Sequence, residues 1–216
     1  MSGNPYAPPT AKVDGVPEKT AFDFVAETDY SITPKQLWWA GACCSLSVLL
    51  SPIYLYFLLT APSIPVLKDI SQFISIFILG LAIYVYLILK KLLIEKSSYR
   101  AANLAISLYI FVSIISGVLG FFSPSAAQGS ATFDLLSVGE LLLFGATSIY
   151  LGLQLLRCED PLFGQRKPVA YLTLAMGITV ATVFLALLGI LISIVLDIAM
   201  ALLFFRASRA LSQVQS

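Results

Sequence analysis

The stretch VAYLTLAMGITVATVFLALLGILISIVLDIAMALLFF, residues 169–205, carries a single charged side chain, Asp197. As one helix it would run about 55 Å at a rise of about 1.5 Å per residue, against a hydrocarbon core of about 30 Å. Two foldings fit. One is a long helix that leaves the bilayer; the other is a hairpin turning near Leu188-Gly189.

The basic residues separate the two. With a hairpin the chain crosses six times, and its inner segments hold Lys12, Lys19 and Lys35, then Lys90, Lys91, Lys96 and Arg100, then Arg157, Arg166 and Lys167, then Arg206 and Arg209. Only Lys68 is left outside. With a single helix, Arg206 and Arg209 join Lys68 on the outer side. Cytoplasmic loops carry the excess of Lys and Arg, so the sequence predicts six crossings with both termini inside.

Working outward from this stretch, composition agrees. Of the 216 residues 58% are hydrophobic and 12% charged, where soluble domains have about 45–50% and about 25%. Mean hydropathy is +0.90. The expected fold is an all-α integral membrane helical bundle with spans at about 37–61, 70–94, 101–122, 135–156, 169–188 and 190–205. Thr33-Pro34-Lys35-Gln36 introduces the first span: an N-cap threonine, a proline at the first helical position and a glutamine that completes a capping box. Trp38 and Trp39 follow at interfacial depth, and Pro52 is expected to kink the helix. Residues 1–36 form a Pro-rich cytoplasmic tail, expected to be mostly extended, and 207–216 a cytoplasmic C-terminal tail.

Asn4-Pro5-Tyr6-Ala7-Pro8-Pro9, with Ala11 and Val13 after it, resembles the Asn-Pro-Tyr-x-x-Pro leader of small multi-spanning bacterial membrane proteins, largely uncharacterised ones. The resemblance covers about a dozen residues. It implies a bacterial inner-membrane setting and no particular activity.

Small residues mark where helices approach closely in lipid. Ser113, Ser116, Gly117 and Gly120 form such a seam in the third span, and Gly145 and Gly152 another in the fourth; both read as packing within one bundle. Two carboxylates sit inside apolar runs, Glu140 and Asp197. Intramembrane acids are costly and raise a functional hypothesis, here a proton or cation relay; the alternative is hydrogen bonding between helices. Both are expected in one layer of the outer half of the bilayer. Glu140, Thr147 and Gln154, seven apart, share one helix face as a polar stripe.

The chain has no His, the commonest metal ligand and general base. It shows no phosphate loop, dinucleotide turn or metal-ligand spacing. Cys43, Cys44 and Cys158 read as free thiols rather than a disulfide framework. No catalytic residue, metal site or cofactor is expected, and the net charge of +1 gives no reason to expect nucleic acid. The expected partners are the lipid bilayer and another membrane protein or a second copy. The leading expectation is a non-enzymatic scaffold or accessory subunit, and the alternative is a small proton- or cation-coupled transporter that uses the intramembrane carboxylates.

Overall fold

The computed structural model describes residues 32–60, 65–97, 100–122, 131–158, 162–182 and 185–214. The Asn-Pro-Tyr leader and the tail up to residue 31 lie outside the described residues. Six α-helices follow one another, with no strand among the described residues: α1 Pro34–Thr60, α2 Pro65–Ser97, α3 Arg100–Phe122, α4 Ala131–Arg157, α5 Arg166–Ala181 and α6 Ala186–Val214. A short 3-10 turn, Leu162–Gly164, precedes α5.

The start of α1 forms as its sequence predicts. The Thr33 amide donates to the Gln36 side-chain oxygen at 3.2 Å, and the Gln36 amide donates to the Thr33 hydroxyl at 3.3 Å. Two otherwise unpaired helix-terminal donors are thereby satisfied. α1 then continues through Pro52 to Thr60.

The apolar stretch 169–205 is divided between two helices that pack on each other, and the break falls between Ala181 and Ala186 rather than near Leu188-Gly189. Gly189 belongs to α6 and serves close packing instead. A Cβ added there would lie 2.7 Å from Val180 Cγ2 and 3.2 Å from Thr179 Oγ1, so the glycine admits α5 rather than reversing the chain. The helix ends where the Thr182 hydroxyl bonds the Thr179 carbonyl at 2.8 Å. The expected lengths are consequently exchanged: α5 has 16 residues and α6 has 29. α6 also runs on through most of the expected C-terminal tail, because Ala207 and Leu211 are buried and the Ser208 hydroxyl donates to the Pro34 carbonyl at 2.8 Å.

Five of the helices, all but α5, are long and apolar enough to cross a membrane. Each helix packs on its neighbours in sequence, and α6 packs on α1, closing a ring. One apolar core joins the start of α1 (Leu37), the end of α2 (Leu89, Leu92), the start of α3 (Ala102, Ile106), the end of α4 (Leu151, Leu155) and the end of α6 (Leu203, Phe204). These ends therefore converge at one end of the bundle. The basic residues cluster there too, with Lys35, Arg157, Lys167, Arg206 and Arg209 all exposed. This is the basic end.

Candidate functional site

Above the apolar core at the basic end, the buried positions change character. Leu, Ile and Ala give way to Ser47 and Ser51 on α1, Ser113 on α3, Thr147 and Ser148 on α4, and Thr179 on α5. Most of these hydroxyls donate to a carbonyl one turn back in their own helix: Ser51 to Ser47, Ser113 to Tyr109 and Ser148 to Phe144, each at 2.8 Å, and Thr179 to Ala175 at 2.9 Å. Such back-bonding is the common fate of hydroxyls in helices. Ser47 is different. Its hydroxyl crosses to α6 and donates to Asp197 Oδ2 at 2.8 Å.

Asp197 reaches this position because α6 turns one face into the ring, with Met200, Leu203, Phe204 and Ala207 all buried along it. On α1 the corresponding strip is Ala40, Cys44, Ser47 and Ser51. The two helices are tied at two levels, Pro34 to Ser208 and Ser47 to Asp197, thirteen residues apart on α1 and eleven on α6. At about 1.5 Å per residue, both separations come to roughly 16–20 Å, so the helices run antiparallel and in register.

A cavity of about 20 Å³ adjoins the carboxylate, lined by Cys43, Cys44 and Ser47 from α1, Leu81, Ala82, Val85 and Tyr86 from α2, and Asp197 and Met200 from α6. One water needs about 10–15 Å³ on this measure, so the space suits a single water or a bare ion. At its edge the Tyr86 ring packs on Tyr109 with centroids 4.5 Å apart, and Phe144 packs 5.3 Å from Tyr109. Tilted ring pairs at such spacings are favourable aromatic contacts.

The second carboxylate is placed elsewhere. Glu140 is half-buried and meets Ser116 of α3. Seventeen residues separate it from Arg157, about 25 Å of helix, whereas Asp197 stands nine residues from Arg206, about 14 Å. The two acids belong to different helix pairs and different depths, so they do not form one layer. Of the stripe on α4, Thr147 is buried with its hydroxyl on the Leu143 and Phe144 carbonyls at 3.0 and 2.9 Å, and Gln154 is buried and has a partner.

The seam residues are used within the bundle. A Cβ on Gly145 would meet the Gly177 carbonyl at 2.8 Å, and one on Gly152 would meet the Ala170 carbonyl at 3.0 Å, so α4 and α5 pack backbone to backbone. Gly117 accommodates Leu79 of α2. The surroundings of Gly120 lie outside the described residues. In the turn before α5, Leu162 and Phe163 hold φ of 46° and 54°, an uncommon state for side chains of this kind. Arg166 Nη1 donates to the Cys158 carbonyl beside them.

Sequence reading passed over Ser47, Tyr86 and Tyr109. A signal exists for the two tyrosines, which stand at similar distances on either side of the α2–α3 connection. For Ser47 there is none, since its partner is 150 residues away. Among the described residues no group of three or more His, Cys, Asp or Glu is placed to hold a metal ion. No protein-family model matches the chain, and no curated protein or solved structure matches it either.

Proposed function

We propose that the chain is a six-crossing protein of a bacterial inner membrane, with both termini in the cytoplasm, that moves protons or small cations by way of Asp197. The observation that carries this reading is the carboxylate itself. It is tied to α1 by the Ser47 hydroxyl and bordered by a cavity of water size that α1, α2 and α6 line. An acid kept at such a depth is expensive and faces a bundle interior or a polar cavity where it has a task. Support for six crossings comes from the bond between Ser208 and Pro34, which sets the first and last helices end to end in opposite directions, and from the basic residues gathered at that end. α5, about 24 Å long by helical rise, crosses as the shorter arm of the α5–α6 hairpin.

Purified protein in proteoliposomes, given a potential across the membrane and a pH-sensitive dye inside, tests the reading. Asp197→Asn should abolish flux while the folded protein keeps its elution profile. Flux that survives unchanged in this variant would refute the role of Asp197.

A scaffold or accessory subunit is the second reading, favoured by Gly80 on α2 and Gly139 on α4. A Cβ at either position would find nothing within 4 Å, which leaves places where a helix of another membrane protein can approach. Extraction in a mild detergent tests it: a stable complex with different proteins supports the reading, and recovery of the chain alone counts against it.

A further inference from the structure

The cavity beside Asp197 gathers sulfur. The chain has three cysteines and three methionines, and Cys43, Cys44 and Met200 all line this one space. The antiparallel register brings two of them to one level of the bundle. Ser47 is bonded to Asp197; one turn toward the basic end from Ser47 is Cys44, and one turn toward the same end from Asp197 is Met200. Both are buried, at 1% and 2% exposure. Thiols and thioethers often serve only as compact or adaptable apolar packing. Packing alone gives no reason for a space left between them, nor for a carboxylate one turn away.

Soft thiolate and thioether ligands select monovalent copper and its relatives over hard or borderline ions. The absence of His in the chain and of any three-residue metal group among the described residues leaves nothing here for a tetrahedral divalent ion. Two sulfurs lining one cavity suit an ion of low coordination number. We propose that Cys44 and Met200 bind a soft monovalent metal cation of the copper(I) and silver(I) class, with Asp197 taking the thiol proton. This rests on the cation-handling reading above and names the ion. On binding, the Cys44 S–H bond breaks and a sulfur–metal bond forms. The proton passes to the Asp197 carboxylate, the Met200 thioether donates a lone pair, and no electron is transferred. Ser47 keeps the carboxylate turned toward the site.

Silver(I) is a stable probe, added to the full chain in detergent without chloride or competing thiols and followed by titration calorimetry. The wild type and Cys158→Ser should each bind one equivalent at this site. Cys44→Ser should lose it, and Met200→Leu, a swap that conserves volume, should lose it while eluting as a folded protein. Asp197→Asn keeps both sulfurs and should weaken binding by about 10–100-fold, as the loss of an outer partner does. No saturable binding by the wild type, full binding by Cys44→Ser, or loss of binding in Cys158→Ser would each overturn the site. Proton flux that depends on Asp197 without silver binding removes this inference alone. Silver binding with flux indifferent to Asp197 removes the transport reading alone.

Discussion

Ser47 and Thr147 are both buried hydroxyls, yet only one of them supports another residue. The Ser47 hydroxyl is the one hydrogen-bond donor to Asp197 among the described residues, whereas Thr147 bonds carbonyls of its own helix that are also served by the helical ladder. Ser47→Ala should therefore leave the carboxylate short of a donor, at a cost of about 1–3 kcal/mol, the usual penalty for an orphaned buried group. Thr147→Val removes a donor without stranding an acceptor and should stay within about 0.5 kcal/mol. Thermal unfolding of both variants in the same detergent checks this; equal losses would mean that the bond between α1 and α6 contributes nothing special. Asp197 was legible as a residue of interest because one acid in a long apolar run stands out. Which hydroxyl serves it was not legible, because Ser, Thr and their back-bonding look alike along a helix.

At the scale of elements, two uses of glycine control the packing. Gly145 and Gly152 on α4 have backbone of α5 where a side chain would be, and spacing alone predicted their seam. The facing contributions of Ala170 and Gly177 were harder to see within an apolar stretch lacking any polar contrast. Gly189 shows why the hairpin turn was misplaced: one residue type serves both chain reversal and close approach, and only the neighbour at Val180 tells which. Gly145→Leu should force α4 from α5 and yield little monodisperse protein, since inserting bulk into a packed interface costs about 1–3 kcal/mol or more. Gly80→Ala, with open space in front of it, should instead raise the unfolding temperature, because Ala is better in a helix by about 0.5–1 kcal/mol. A destabilised Gly80→Ala would show that this face is already occupied.

At the scale of the molecule, the ring closes where the start of α1 meets the last turns of α6, at Pro34 and Ser208, and this contact has a topological consequence. Where the first and last helices both cross, their antiparallel setting requires an odd number of reversals between them, and hence an even number of crossings. Hydropathy and charge alone predict six crossings, and they do not predict that the shortest helix is α5. Thiol labelling tests the arrangement, but not at Cys158, which is only 1% exposed and would escape a reagent on either side. Exposed positions serve better: Lys167 and Arg209 at the basic end and Thr182 at the α5–α6 turn. In intact cells, a membrane-impermeant maleimide should label Thr182→Cys and spare Lys167→Cys and Arg209→Cys until the cells are opened. Labelling of Arg209→Cys alongside a protected Lys167→Cys would put α6 on the wrong side and leave five crossings. Labelling of both would invert the whole bundle, turning the basic end outward against the rule that its charges otherwise obey.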